Sequence, residues 1–155
     1  MDAWLAGLEQ LGLVKAVKTS FFAYPLINAM HIASIGALLT SVVLMDLRLL
    51  GRFGDLPEQR LVELMRRLAL GGFVVAAMTG AIMFAVRASD YAATPLYWAK
   101  MGLIILAGLN FLVFLNLDRH RAWGAELSGI ARLPVLASLI LWPCVLIAGR
   151  FLGFV

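Results

Sequence analysis

Four long apolar runs constrain this chain more than any other feature. They cover about 21–50, 68–86, 96–117 and 133–155, and each is long enough to cross a bilayer. The first is interrupted by Asn28, His31 and, near its end, Asp46 and Arg48, and the second carries no charge at all. The third contains Lys100 and Asn110, and the fourth only Arg150, near its end. Because the runs are continuously apolar and do not alternate, they read as helices and not as strands of a barrel. Only 14% of the 155 residues are charged and 63% are apolar, so there is too little polar surface to cover a soluble domain. The expectation is an all-α, integral membrane four-helix bundle forming one transmembrane domain over 1–155.

Before the first run, Trp4, Leu8, Leu11, Val14 and Val17 recur at helical spacing while Glu9, Lys15 and Lys18 fall elsewhere. This predicts one amphipathic helix over about 2–18, lying at the membrane surface or capping the bundle. It does not read as a signal peptide, because the lysines follow its short apolar stretch. Pro134 suits the first turn of the fourth helix, and Pro143 should kink it. The single Cys144 has no partner for an intrachain disulfide.

The basic pI of about 9.7 is a matter of orientation and not of nucleic-acid binding, because the cations fall in short connections between the runs. Arg48, Arg52, Arg60, Arg66 and Arg67, with Arg119, Arg121 and Arg132, place eight on one side. Lys15, Lys18, Arg87, Lys100 and Arg150 place five on the other. The positive-inside rule then puts both termini outside the cytoplasm. Tyr91, Tyr97 and Trp98 cluster on the outer side, as an aromatic belt does.

On a helical wheel the first run has two distinct faces. Tyr24, Asn28, His31, Ser34 and Asp46 share a broad stripe with several apolar residues, and polar groups there should face the bundle or a subunit interface. Ala29, Ala33, Ala37 and Ser41 form a small-residue face, echoed by Gly72, Ala76 and Gly80 in the second run. Their spacing predicts close packing of helices one and two along those faces.

His31 lies roughly 15 Å into the first run by helix rise, near mid-bilayer. An ionisable residue at that depth is a functional candidate. It is a candidate ligand for haem b or copper, a member of a proton-relay or transport path, or a neutral core residue satisfied by a neighbouring helix. The other histidine, His120, falls in a basic turn roughly 20 Å away along the bilayer normal, so one haem cannot use both. A haem would need His31 from two copies of the chain, or His31 with a methionine such as Met78 at similar depth. The same pair suits Cu(I).

Asp46 needs a partner from another helix, and Arg66 or Arg67 are the candidates for a structural ion pair, with Arg119 and Arg121 behind them. Lys100 is expected to snorkel to the outer surface, and Asn110 to bond across helices. No nucleophile with base and orienting acid, no phosphate-binding loop, and no CxxC or HExxH spacing is present, so nothing points to an enzyme.

Several of these residues carry a resemblance. Tyr24-Pro25, His31 and the stretch Asp46-Leu47-Arg48-Leu49-Leu50-Gly51 resemble an uncharacterised family of small bacterial four-helix inner-membrane proteins. The same pattern includes Trp4, Ser20 and Phe22-Ala23, Thr79-Gly80, Tyr91 with Pro95, Lys100, Ala107-Gly108-Leu109-Asn110 and Gly149-Arg150. The chain departs from it at Thr40 or Ser41, where relatives have a glycine, and at Leu115, where they have a second histidine. That last departure bears against haem. The resemblance implies the architecture and names no activity.

Three functional expectations follow. The first is a membrane binding protein whose Tyr24, Asn28, His31 and Ser34 form a ligand site, with His31 and Met78 as metal ligands, serving a redox or metal-handling assembly. The second is a transport or permeation protein for small solutes or ions. The third is a structural subunit of a membrane assembly, as a homo-oligomer or beside a partner subunit.

Overall fold

The computed structural model describes residues 2–119, 121–127 and 129–154. Among them are seven helices: α1 (Asp2–Glu9), α2 (Gly12–Thr19), α3 (Ala23–Leu49), α4 (Glu58–Val86), α5 (Ala88–Ala93), α6 (Pro95–Leu117) and α7 (Gly129–Leu152). Four of these, α3, α4, α6 and α7, are long and apolar enough to cross a membrane. Their outer faces carry large apolar side chains such as Ile105, Leu109, Leu112 and Ile140, all more than half exposed. A soluble surface does not tolerate apolar patches on that scale, whereas lipid does.

The segment ahead of α3 forms two short helices instead of one. The chain turns at Gln10–Leu11, and Gly12, a poor helix former, opens α2. The turn lets α1 lie against α5 and α4 while α2 lies against α4 and α3. Leu5 and Val14 are the buried anchors, Leu8 and Val17 are half-buried, and Trp4 and Leu11 remain exposed, so the expected apolar face is covered only in part.

At the opposite end, α3 stops in a six-to-one turn. Gly51 takes a left-handed φ of +87°, with Arg52 N–H donating to Leu47 O at 2.9 Å and Gly51 N–H to Arg48 O at 3.0 Å. The next helix begins ten residues before the apolar run of 68–86. Its first turns are charged outside but bury Val62, which is 1% exposed, against the bundle. At α6, Pro95 occupies the first turn, where its missing N–H costs nothing. Because α7 starts at Gly129, Pro134 lies in its second turn and not its first.

The spans form two hairpins, α3–α4 and α6–α7, joined along α3 and α7. Among the described residues, α4 and α6 nowhere approach within 8 Å, Cα to Cα. That side of the bundle is a cleft. A core of Met45, Leu49, Val62, Phe114, Ala131 and Val135 ties all four spans together near the connections opposite α1 and α2.

The tightest helix contact is between α3 and α4, and it differs from the expected pairing. A side chain at Gly72 would meet Ser34 O at 2.9 Å and Leu38 N at 3.0 Å. Gly72, Ala76 and Gly80 therefore seat the polar stripe of α3, not its alanine face. Ala29, Ala33 and Ala37 are exposed. The small residues of one helix accommodate the larger side chains of the other, which is how a close crossing holds both His31 and Leu38.

Candidate functional site: two polar levels along α3

The α3 stripe has polar groups at two depths. At the upper level, nearer α1 and α2, His31 Nδ1 lies 2.9 Å from Thr79 Oγ1 on α4. The threonine hydroxyl donates to Val75 O at 2.7 Å, one turn back on its own helix. Its lone pair is what remains, so the imidazole donates from Nδ1. The ring rests on Gly80, where a Cβ would stand 3.1 Å from Cε1. Ser34 is buried, and its hydroxyl donates to His31 O at 2.8 Å. Lys100, on α6, is half-buried and packs on Gly149 of α7, where a Cβ would lie 3.5 Å from Nζ. It therefore lies against α7 instead of extending freely.

Tyr24 and Asn28 are half-buried above this level. Tyr24 interacts electrostatically with Tyr91 and Arg87 in the connection carrying α5. Tyr91 and Tyr97 stack with Phe84, and Trp98 meets Tyr97 edge-on, forming the aromatic band at this end. Met78 does not join His31 within the chain: it is 64% exposed on the outer face of α4, while its neighbour Thr79 faces the imidazole. No group of three or more His, Cys, Asp or Glu side chains that could hold a metal occurs among the described residues. His120 lies outside the described residues.

The lower level is a cavity of about 150 Å³ lined by all four spans. Pockets for drug-sized ligands run to roughly 300–1,000 Å³, so this one is small. Leu38, Phe73, Phe111 and Trp142 form its apolar walls, with Phe73 and Trp142 edge to face at 6.2 Å. Asp46, only 3% exposed, lines it and has one carboxylate oxygen, Oδ2, with no hydrogen-bond partner. Arg66 lines it too, and its Nε is likewise buried and unbonded. Ser138 on α7 faces Asp46, and Asn110 Nδ2 donates across to Pro134 O at 2.8 Å, as expected of a polar residue between spans.

The ion pair expected of Asp46 with Arg66 or Arg67 does not form: neither arginine brings a nitrogen within 4 Å of it, and Arg67 is exposed. The arginines and acids at this end pair differently. Arg121 donates to Glu58 at 2.7 Å and to Asp118, and Arg48 approaches Glu58 at 3.9 Å. Glu58 lies ahead of the apolar run, where hydropathy gives no reason to bring it into the bundle, so sequence reasoning missed it. Arg66 also borders a second hollow at the surface, with Arg119, Arg121, Asp118 and Trp123. Arg66 thus lines both the cavity and the surface hollow.

The sequence matches the family of unknown function DUF6644 over residues 5–155, and the chain belongs to that family. No curated protein and no solved structure matches it.

Proposed function

We propose that this protein is a binding protein of the bacterial inner membrane, which takes an amphiphilic ligand from the bilayer into the cavity beneath α3. The observation that carries the reading is the pair of unbonded polar atoms, Asp46 Oδ2 and Arg66 Nε, on the walls of one otherwise apolar cavity. Buried polar groups without partners cost about 1–3 kcal/mol each. A ligand that supplies both partners recovers that cost, and an empty site does not. Entry is from lipid, through the cleft between α4 and α6, where Leu70 lines the cavity and is half exposed.

Eight Lys and Arg residues flank the connections at the Asp46 end and five lie at the other, which favours both termini outside the cytoplasm. The cavity then lies in the cytoplasmic half of the bilayer, and His31 in the outer half. Haem or copper at His31 has less support, since Met78 faces outward, away from the imidazole; the Nδ1 bond to Thr79 leaves Nε2 open and does not itself bear against ligation.

The test is to purify the protein from membranes in mild detergent, extract it with solvent and analyse the extract by mass spectrometry. A stoichiometric amphiphile is expected from the wild type. Gly108→Leu, which adds bulk at the cavity wall where a Cβ meets nothing within 4 Å, should lose it. An extract containing only bulk phospholipid, at the same level in both, rejects the reading.

A second reading, transport, draws on the burial of Ser34 and Asp46 along the α3 stripe that begins at Tyr24, and of Ser41 beside it. It requires water at both levels. Cysteines placed at Asn28 and Ser41 should then react with hydrophilic thiol reagents, and resistance from both sides of the membrane rejects it.

A further inference from the structure

We propose that the ligand of this cavity is a hydroxylated aromatic ring carried on a hydrocarbon chain, that is, a quinol or phenolic prenol of the bilayer. The inference rests on the binding function proposed above and identifies the ligand's chemical class. Three observations narrow it.

The first is size. A volume of about 150 Å³ matches a single ring, since an engineered cavity of about 150 Å³ holds one benzene. A fused multi-ring alcohol, whose rigid body is several times larger, would have to leave most of itself outside it.

The second is the wall chemistry. Phe73, Phe111 and Trp142 present aromatic surface from three different spans, and Phe73 meets Trp142 edge to face. Edges and faces arranged around a void favour a further ring over a flexible chain, because offset and edge-on aromatic contacts add to area burial.

The third is the pair of unbonded atoms. Arg66 Nε–H needs an acceptor, and Asp46 Oδ2 needs a partner, which is a donor where the carboxyl is ionised. A quinol satisfies both: one ring hydroxyl donates to the carboxylate, and a ring oxygen elsewhere accepts from the guanidinium. Two common groups of the bilayer match one side only. A phospholipid ester supplies acceptors but leaves Asp46 without a donor. A fatty acid sets a second carboxylate beside Asp46. The hydrocarbon tail leaves through the α4–α6 cleft past Leu70, where the neighbouring surface is lipid-facing.

Trp142 is the reporter already in place. A variant with Trp4, Trp98 and Trp123 changed to Phe leaves it as the sole indole of the four. In detergent micelles, 2-decyl-1,4-hydroquinone kept reduced should quench its emission saturably. The 1,4-dimethyl ether of the same compound keeps the ring, the tail and the acceptors but has no hydroxyl donor. It should bind roughly 10- to 100-fold more weakly, the range for losing a hydrogen bond to a charged group. In Asp46→Leu the difference between the two compounds should vanish, with circular dichroism and melting temperature confirming that the variant is folded.

Equal saturable quenching by quinol and diether overturns the assignment, because the cavity then takes rings without reading the hydroxyl. Absence of saturable quenching by the quinol, in protein whose solvent extract still yields a stoichiometric amphiphile, also overturns it while leaving the binding function standing. An empty extract removes the binding function itself.

Discussion

His31 and Thr79 meet across the α3–α4 interface at 2.9 Å, and the threonine's own bond to Val75 O fixes which of the two donates. The imidazole is thereby oriented by a neutral hydroxyl instead of a carboxylate. Replacing the hydroxyl with a methyl, in Thr79→Val, leaves Nδ1–H unbonded between the two helices. Cross-helix hydrogen bonds in membranes average only about 0.6 kcal/mol and reach about 1.7, so the expected loss falls in that range. Thr79→Ser should retain wild-type stability. Unfolding in mixed micelles measures both.

Gly72 is the point of closest approach between the same helices. Gly72→Ala puts a methyl 2.9 Å from Ser34 O and 3.0 Å from Leu38 N, both backbone atoms that cannot yield independently. Overpacking of this kind costs about 1–3 kcal/mol. The adjacent Gly71 has nothing within 4 Å of its added Cβ. There alanine should be neutral or stabilise by up to about 1 kcal/mol through helix propensity. The two neighbouring substitutions, compared by thermal melting, separate packing from propensity.

Glu58 holds two arginines at the connection end, and its side chain is 9% exposed. Glu58→Gln leaves Arg121 and Arg48 partly uncompensated, and breaking a buried pair from one side costs about 3–5 kcal/mol. The exposed pair Arg87–Asp90 at the other end is the control. Arg87→Gln should cost less than about 1 kcal/mol. Melting temperatures in one detergent rank the two.

Glu9 joins α1 to α5: its Oε1 accepts from Ser89 N–H at 2.9 Å, and that bond holds the carboxyl below its ordinary range. The folded state therefore favours the charged form. The docking it contributes is fully present above the ordinary glutamate pKa and is lost as pH falls through the lowered one. Hydrogen exchange in α1 should accelerate on acidification, and in Glu9→Gln that dependence should flatten.

Asp46 presents the opposite case, a buried acid whose Oδ2 has no partner. Asp46→Leu removes that demand and fills part of the cavity. It should raise stability by about 1–3 kcal/mol while abolishing retention of the amphiphile. Melting and solvent extraction on one sample test both halves, and a less stable variant argues against an unsatisfied site.

The four spans were legible because the bilayer fixes both the length and the polarity of whatever crosses it. Helix ends were less legible, for the same reason. Residues 58–67 are helical but charged, so hydropathy marks the bilayer and not the helix. The polar stripe of α3 was readable from its periodicity, and His31, Ser34 and Asp46 do face other spans. Their partners were not readable. Thr79 and Met78 sit side by side in sequence, and only the rotation of α4 about its axis decides which meets the histidine. The expected Asp46–Arg66 pair failed for a related reason, since spacing along a helix gives depth but not the direction of a long side chain. The cavity needed both hairpins in place, and no single run encodes it.

The missing contact between α4 and α6 has a mechanical consequence. The two hairpins are hinged on α3 and α7 like the boards of a book, with the fore-edge facing lipid and one corner clasped by Arg121 and Glu58. Lateral pressure in the surrounding bilayer acts to close that fore-edge, and thinning or loosening of the acyl chains relaxes it. Under the binding function proposed above, occupancy would then follow the physical state of the membrane.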